Sequence, residues 1–380
     1  MDIKYFGTSI PFNDIPNNIK SRGVNLGGAA RKREMYLLNI FSQIKNIKNL
    51  HFITPAYGKK GGIFNSIELD FHNRKHVFLG YIGKGIIRIF TSHIYSFFWV
   101  IRNVKAGDTV ITYNFPPIYA IPILLKKIFI KFRLIIEFED FYNKDDKRYY
   151  FFRPFENLGI QFANSFIASS VGMSNYINEN RKQAQIIING GYFEDINTKL
   201  KKNNLSSSVL KILYSGTLDK ERGIHNLIKL FQSNKSEKFE LIFSGSGPLE
   251  EYIKEKSAED PRINFVGLLS DEEYNFLIMS SQICVNPQWA SISVNFPSKI
   301  TMYLSYGKTV LSTRIESLIN SPYKDLILFY DELSTDDFWD KLYMISDNSK
   351  NFESNKSERI VKFKKIIDAQ KDELIKLICE

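Results

Sequence analysis

Residues 284–313 have the sequence CVNPQWASISVNFPSKITMYLSYGKTVLST. Apolar runs at 283–285 and 310–313 have the composition of short buried strands. Between them, Pro297 favours a helix start because the first helical turn needs no backbone N–H, and Gly307 favours a helix end. The stretch predicts a strand, loop, helix and strand, with the loop at the carboxyl edge of a parallel sheet. There the helix start would offer free N–H groups to an anion.

Three segments that precede this stretch contain glycine turns or a short strand. They are YSGTLDKERGI at 214–224, FSGSGPL at 243–249 and RINFVG at 262–267. In this order, and together with FPSKI at 296–300, they resemble the donor-binding domain of family 4 glycosyltransferases, especially the bacterial surface-polysaccharide group of O-antigen and capsule synthesis. The resemblance implies an α/β protein of the GT-B fold. In that fold two Rossmann-like doubly wound domains face each other across a cleft, and a C-terminal helix crosses back to the first domain.

The length of the chain and one polar segment predict the domain boundaries. A chain of 380 residues exceeds the size at which a single core keeps growing, so two domains are expected. Residues 201–208 are polar and lack an apolar period, which is typical of a linker. We predict an acceptor-binding domain at 1–200, a nucleotide-sugar-binding domain at 201–358 and a terminal helix at 359–380.

The resemblance also implies a site for the diphosphate of a nucleotide sugar, where bond cleavage leaves negative charge on the departing group. Glycine turns there let the backbone approach the ligand, and an arginine binds phosphate oxygens through its planar fork of donors. The implied donor-binding residues are Gly28, Gly216, Thr217, Arg222, Gly245, Gly247, Val266, Asn295, Phe296, Pro297, Ser298 and Lys299. Gly28 is either a ligand contact or a loop hinge, Lys299 adds charge or faces solvent, and Asn295 binds sugar hydroxyls or only turns the loop.

The sequence departs from the family at three positions. Thr217 stands where the family usually has an arginine, which removes one phosphate contact. Val294 and Met302 stand where the family usually has two glutamates, one near the sugar and one near the ribose. Neither side chain can bind a hydroxyl, and the apolar spacing of Met302 on its helix fits core packing.

Carboxylates follow the predicted strand at 134–138. Because the carboxyl ends of parallel strands meet at the ligand-binding edge of a sheet, Glu139 and Asp140 are candidate catalytic residues that bind the acceptor or remove a proton from its hydroxyl. The alternative is that Asp140 only caps a loop. Arg31, Lys32 and Arg33 in the preceding helix pattern are expected on a solvated face.

Positive charge is concentrated in the first half of the chain. Residues 1–200 contain 27 Lys and Arg against 15 Asp and Glu. This bias predicts an anionic partner, and the inner-membrane surface fits better than nucleic acid, for which no motif is present; the alternative is a lysine-rich solvated surface. Residues 117–130 are apolar but are interrupted near their end by Lys126 and Lys127, so they are too short to span a bilayer and either pack on the sheet or rest on a membrane surface.

The remaining composition limits location and cofactors. Cys284 and Cys379 lie far apart and do not form a secreted disulfide pattern, and the N-terminus lacks a signal-peptide pattern. We expect a cytoplasmic protein, peripheral on the inner membrane. His72 and His76 have the spacing of a helical metal pair but lack a third ligand nearby. We therefore expect no metal and no cofactor beyond the nucleotide-sugar substrate.

The predicted function is that of a retaining glycosyltransferase that moves a sugar from a nucleotide-sugar donor to a lipid-linked glycan in cell-surface polysaccharide assembly. Arg222, the glycine turns and the Phe-Pro-Ser-Lys turn favour this activity. The missing glutamates favour an alternative, a catalytically impaired binding subunit of a polysaccharide-assembly complex. A nucleotide-sugar epimerase of similar architecture would need cleft acids and histidines that the sequence does not place.

Overall fold

The computed structural model describes residues 1–9, 29–56, 61–71, 74–140, 147–181, 184–190, 209–289, 295–348 and 354–380. The chain divides into two compact units, one of Met1–Tyr192 with Gln370–Glu380 and one of Phe193–Ala369. We call them unit 1 and unit 2. The predicted boundary at residue 200 and the predicted linker at 201–208 lie outside the described residues.

Unit 1 alternates strands with helices along most of its length, as a parallel sheet requires. Its elements are β1 (Asp2–Phe6), α1 (Ala29–Gln43), β2 (Asn49–Pro55), β3 (Gly62–Phe64), β4 (Ile67–Phe71), β5 (Arg74–Leu79), β6 (Tyr81–Gly83), α2 (Gly85–Asn103), β7 (Thr109–Tyr113), α3 (Pro117–Phe129), β8 (Arg133–Phe138), α4 (Lys147–Phe162), β9 (Ser165–Ala168), α5 (Val171–Asn180) and β10 (Ala184–Ile187).

Within the described residues, the main sheet of unit 1 has eight strands in the order β10-β9-β8-β7-β1-β2-β5-β4. Neighbouring strands pair in parallel except at the β4 edge, where β4 and β5 are antiparallel. The strands β7 and β8 are buried along almost their whole length, which explains why their sequences are continuous apolar runs rather than alternating ones. Along the described ranges of the chain, no helix is both long and apolar enough to cross a bilayer.

Unit 2 repeats the same alternation. Its elements are β11 (Leu210–Ser215), a 3₁₀ turn (Lys220–Arg222), α6 (Ile224–Gln232), β12 (Phe239–Ser244), α7 (Glu250–Glu259), β13 (Ile263–Gly267), α8 (Asp271–Ser280), β14 (Ile283–Asn286), α9 (Lys299–Ser305), β15 (Thr309–Thr313), α10 (Glu316–Ile319), a second 3₁₀ turn (Lys324–Leu326), β16 (Ile327–Tyr330), α11 (Thr335–Asp347) and α12 (Lys356–Cys379).

The sheet of unit 2 is parallel and, in the part of the chain described, has six strands in the order β13-β12-β11-β14-β15-β16. Both strands predicted at 283–285 and 310–313 are present as β14 and β15. The helix between them begins at Lys299, two residues after Pro297, and Ser298 occupies the N-cap position. Gly307 follows the helix with a φ of 64°, the left-handed conformation that favours glycine at a helix end.

Helix α12 begins in unit 2 and ends in unit 1, because Gln370–Glu380 belong to the first unit. In unit 2, the Arg359 guanidinium donates to the Gly307 carbonyl at 2.8 Å. In unit 1, Leu374, Leu377 and Ile378 are buried in the core cluster that contains the β1 side chains. The predicted return of the terminal helix to the first domain is confirmed.

The burial of the helix end predicts a stability contribution to unit 1. Leu374 is fully buried in this cluster, so Leu374→Ala is expected to lower the free energy of unfolding of unit 1 by about 2–5 kcal/mol through lost contacts and a cavity. Urea denaturation measures the change, and hydrogen exchange of the β1 and β2 amides assigns it to unit 1. Val361→Ala on the same helix, at a side chain 53 % exposed, is the control. Equal stability of the two variants would contradict the structural role of the helix end.

Candidate functional site

The strand order of unit 2 marks one edge of its sheet as a ligand site. The chain runs from the central strand β11 outward to β12 and β13, and then returns to the other side of β11 to form β14, β15 and β16. In doubly wound sheets, ligands bind beyond the carboxyl ends of the strands where the direction of winding reverses. The reversal lies between β11 and β14, so the segments after Ser215 and Asn286 border the candidate site.

Two glycine turns pack directly on each other at this edge. Gly216 and Gly245 have φ values of 134° and 138°, which side chains disfavour. A Cβ on Gly245 would lie 1.9 Å from the Gly216 carbonyl oxygen, and one on Gly247 would lie 2.5 Å from the Leu218 carbonyl oxygen. At Gly216, by contrast, the nearest atom to a Cβ is the Tyr214 hydroxyl at 3.7 Å. Gly245 and Gly247 are needed to bring the turns together, whereas Gly216 leaves open space beside the backbone.

Arg222 lies at the end of the 3₁₀ turn that follows the Gly216 turn. Its backbone N–H donates to the Asp219 carboxylate at 3.0 Å, and its guanidinium donates to the Gln288 side-chain oxygen at 3.4 Å. Gln288 is the second residue after β14 and is 5 % exposed, so this contact joins the two strand ends at the reversal. The Arg222 side chain is 39 % exposed and is 3.9 Å from the Asp219 carboxylate, an arrangement that leaves guanidinium donors accessible from solvent.

Lys299 supplies a second cation to the same edge. Its ammonium nitrogen lies 4.0 Å from the centroid of the Tyr214 ring, within the range of a cation–π contact. Burial lowers the pKa of Lys299 well below its usual value, and the nearby positive charge of Arg222 lowers it further. Lys299 is only partly exposed, so it does not lie on a fully solvated face. Arg222 and Lys299 therefore lie close enough at this edge for the charge of Arg222 to act on Lys299.

The other candidates in and beside the Phe-Pro-Ser-Lys turn differ in exposure. Phe296 and Pro297 are buried, and the Phe296 ring packs 5.7 Å from that of Tyr323. Ser298 is exposed, and its carbonyl accepts a hydrogen bond from the Thr301 hydroxyl at 2.8 Å. The carbonyl of Asn295 accepts one from Ser317 at 3.2 Å. Packing and hydrogen bonds within unit 2 thus hold this turn in place directly before α9.

Two remaining candidates of unit 2 are exposed at the site edge. Thr217 is exposed, and its carbonyl accepts from the Tyr214 hydroxyl at 2.7 Å. Val266 is 42 % exposed at the end of β13 and lies beside a groove of about 430 Å³ that Leu269 and Phe276 also line. Met302 is 5 % exposed, which agrees with core packing. Gly28 and Val294 lie outside the described residues.

Unit 1 has a corresponding edge where β1 meets β7. Asn114 follows β7 with a φ of 50°, a conformation that asparagine tolerates better than most residues. Its side-chain oxygen accepts from the backbone N–H groups of Glu139 and Asp140 at 2.9 and 3.3 Å, and its amide donates to the Asp140 carboxylate at 3.3 Å. Asn114 therefore fixes the loop that carries both candidate catalytic carboxylates.

Arg33 reaches the same loop from α1. It is 4 % exposed, and its guanidinium contacts Glu137 at 2.6 Å and Glu139 at 2.9 Å. Another donor of the group bonds to the carbonyls of Ile188 and Gly190. The expectation of a solvated Arg33 is wrong because Glu137, fully buried and also bonded by the Tyr5 hydroxyl at 2.5 Å, requires a buried positive partner.

Two carboxyl groups near this edge have perturbed pKa values. Burial raises the pKa of Glu139 well above its usual range, while Arg33 opposes the shift. Burial also raises the pKa of Glu34 to about 7, although its carboxylate accepts from the backbone N–H groups of Thr8 and Ser9 at 2.7 and 3.1 Å. Glu139 thus combines a loop position, partial exposure and a raised pKa, which suit a group that exchanges a proton.

Sequence reasoning missed Arg33 and Asn114 as members of the unit 1 site. The signal for Asn114 was its position directly after a buried strand, where a short polar side chain often bonds to neighbouring backbone. The signal for Arg33 was weaker, because its partners come from β8 and from the segment after β10, far away in sequence. Across the described ranges, no three His, Cys, Asp or Glu side chains are grouped to hold a metal ion. His72 lies outside those ranges, and His76 contacts the Thr54 hydroxyl at 3.0 Å.

Comparison with known proteins bears on the fold and on the family of unit 2. Residues 210–348 match the family model described as Glycosyl transferases group 1, and no curated protein matches the chain. Sucrose-phosphate synthase from Thermosynechococcus elongatus has a similar structure, with a TM-score of 0.73 at 13 % identity, covering 99 % of this chain and 98 % of that one.

Two further solved structures are similar over nearly their whole length. HepE from Anabaena in complex with UDP has a TM-score of 0.68 at 12 % identity and covers 100 % of both chains. The lipopolysaccharide outer core galactosyltransferase WaaB has a TM-score of 0.59 at 16 % identity, covering 97 % of this chain and 100 % of that one. These likenesses confirm the predicted GT-B fold, and the family match in unit 2 supports the prediction of a nucleotide-sugar-dependent glycosyltransferase.

Proposed function

We propose that this protein is a retaining glycosyltransferase that transfers a sugar from a nucleotide-sugar donor to a lipid-linked glycan during assembly of a cell-surface polysaccharide. The observation that carries the proposal is the pair Arg222 and Lys299 beside the open backbone at Gly216. It lies at the winding reversal of the unit that matches the group 1 model. That arrangement suits a diphosphate, since cationic side chains bind phosphate oxygens and so do backbone N–H groups.

The chemistry of transfer explains why two cations are needed. Cleavage of the bond between sugar and diphosphate leaves negative charge on the diphosphate, and groups that bind this charge more strongly as it develops lower the barrier. Arg222 offers a guanidinium to phosphate oxygens. Lys299 becomes a better donor when the anion arrives, because the anion favours its charged form. These two side chains supply positive charge directly, so we propose that the reaction uses no metal ion and no cofactor.

The comparisons favour a uridine nucleotide as donor. HepE was solved with UDP and with UDP-glucose, and WaaB is a galactosyltransferase of the lipopolysaccharide outer core. These names support a UDP-sugar donor and a glycan acceptor for this chain. Retention of configuration follows from the resemblance to family 4. A location on the cytoplasmic face of the inner membrane would bring the enzyme to a lipid-linked acceptor, and the basic first half of the chain favours it.

The acceptor is proposed to bind at the unit 1 edge. Glu139 and Asp140 lie on the loop fixed by Asn114, and Glu139 has a raised pKa. A carboxylate with a raised pKa is a better base toward a sugar hydroxyl than one of ordinary acidity. We assign Glu139 to the exchange of the acceptor proton and Asp140 to binding of acceptor hydroxyls.

A binding subunit without catalysis is the second candidate. It is favoured by Met302, which is buried in the core where the family has a glutamate, so contacts to the donor nucleotide or sugar are fewer than the family uses. Both candidates bind a nucleoside diphosphate, and they differ only in turnover.

Replacement of Arg222 tests the donor site. Arg222→Ala is expected to weaken UDP binding by about 1.5–3 kcal/mol, roughly 10- to 150-fold in Kd, the scale of a hydrogen bond to a charged group. Isothermal titration calorimetry measures the affinity. Lys220→Ala, on the same turn and exposed to solvent, is the control and should bind like the unchanged protein. Equal UDP affinity in the Arg222 variant would refute the assignment.

The lowered pKa of Lys299 predicts proton uptake when UDP binds. The anion stabilises the ammonium, so the pKa of Lys299 is higher in the complex than in the free protein. The affinity for UDP therefore declines as the pH rises from the pKa of Lys299 in the free protein to its pKa in the complex. Titrations in buffers of different ionisation enthalpy should give a positive number of protons taken up. Lys299→Met should abolish this uptake, apart from that of the UDP phosphate itself. Unchanged uptake in the variant would assign the proton to another group.

Turnover separates the two candidate functions. With UDP-sugars and polyprenyl-diphosphate-linked sugars as acceptors, the proposed enzyme releases UDP, and Glu139→Gln is expected to lower kcat by about 10²-fold or more with unchanged UDP affinity. Asp70→Asn, at an exposed carboxylate of unit 1, is the control. UDP binding without release of UDP from any donor and acceptor pair would favour the binding subunit, and wild-type kcat in Glu139→Gln would remove Glu139 from catalysis.

A further inference from the structure

Helix α2 exposes its large apolar side chains and buries its small polar ones. Ser92, Ser96 and Val100 are its buried residues, and the Ser96 hydroxyl donates to the Ile118 carbonyl of α3 at 2.7 Å. The opposite stripe, at spacings of four, has exposed fractions of 84 % for Ile86, 66 % for Phe90, 39 % for Ile94 and 52 % for Phe98. This is the reverse of a helix whose apolar face packs on a core.

Helix α3 continues the exposed apolar surface. Ile121, Leu125, Ile128 and Phe129 are exposed by 43 %, 40 %, 73 % and 79 %. A groove of about 400 Å³ runs between the two helices, and apart from His93 its lining side chains are apolar, among them Phe90, Phe98 and Ile121. Contiguous apolar surfaces of this kind mark places where a protein meets a membrane or a partner.

The charge around these helices distinguishes between two possible partners of the apolar surface, an anionic bilayer and a second copy of the chain. Residues 74–136 contain ten Lys and Arg and a single acid, Asp108, which is 6 % exposed and accepts from the Lys105 N–H at 2.9 Å. Lys84 and Lys131 are exposed close to the ends of α2 and α3, and the Arg102 guanidinium lies 5.7 Å from the Phe98 ring. A second copy of this chain would present the same positive charge to the surface, which disfavours self-association.

We propose that the exposed face of α2 and α3 docks on an anionic lipid bilayer, with its Ile and Phe side chains inserted between headgroups and its cations bound to lipid phosphates. An apolar stripe flanked by Lys and Arg is the arrangement that binds such an interface. This inference rests on the membrane location in the proposed function. It adds which surface meets the bilayer, which side chains insert into it and which lipid charge the surface requires. It does not require turnover.

Vesicle flotation of the full chain tests the surface. Binding to vesicles of phosphatidylglycerol and phosphatidylcholine is expected to exceed binding to phosphatidylcholine alone by about tenfold or more, and to fall with added salt. The double variant Phe90→Ser/Phe98→Ser should lose about tenfold or more of the binding to the mixed vesicles, since two inserted aromatic side chains are removed. Leu333→Ser/Val361→Ser removes two exposed apolar side chains from unit 2 and should bind as the unchanged protein does.

Two measurements keep the result specific. UDP titration of each variant reports whether the fold and the donor site remain intact, so a lost donor site and a lost membrane surface give different outcomes. The fluorescence of Phe90→Trp should shift to shorter wavelength on mixed vesicles if this position enters the bilayer. Equal vesicle binding by the Phe90→Ser/Phe98→Ser variant, or indifference to lipid charge, would overturn the proposal. A dimer in sedimentation that the same variant dissociates, without vesicle binding, would identify a second copy as the occupant instead.

Discussion

Gly245 packs so closely on the Gly216 turn that its missing side chain decides the geometry of the candidate donor site, since a Cβ would lie 1.9 Å from the Gly216 carbonyl oxygen. The contact joins the ends of β11 and β12, which pair in parallel up to Ser215 and Ser244. With these strand ends fixed, the chain after Gly216 enters the 3₁₀ turn that carries Arg222. The position of the first cation therefore depends on a contact between two residues that have no side chain.

The second cation of the candidate site comes from α9 and not from the glycine turn. Thr217 takes the place of an arginine that the resembled family uses, and its side chain has no charge. Lys299 lies over the Tyr214 ring on the same side of the sheet as Arg222, so positive charge is delivered from α9 rather than from the glycine turn. A lysine whose pKa is lowered by burial suits this role. Without a ligand its neutral form is not repelled by Arg222, and a bound anion favours its charged form.

Much of the fold could be predicted from the sequence, because parallel α/β units leave glycine turns and buried apolar strands at regular intervals. The strands β14 and β15 and the helix end at Gly307 were predicted from local patterns, and the return of α12 to unit 1 was implied by the resemblance to family 4. The exposed apolar stripe of α2 and the burial of Arg33 were not. An apolar helix has the same composition whether its apolar side chains face the core or solvent, and the partners of Arg33 are brought to it only by the sheet order. Local sequence thus predicted backbone turns better than it predicted the burial and the partners of charged side chains.

The proposed reaction places different demands on the two missing family glutamates and on the two cations. The glutamates of the resembled family lie near the sugar and the ribose, so their loss removes contacts to the donor and favours the binding-subunit alternative. The negative charge on the diphosphate, in contrast, grows as the glycosidic bond breaks, and the groups that meet it act mainly on the rate. Because Arg222 and Lys299 remain and Met302 is buried, the proposed enzyme would keep the positive charge that favours cleavage and would lack part of the contacts that bind the donor.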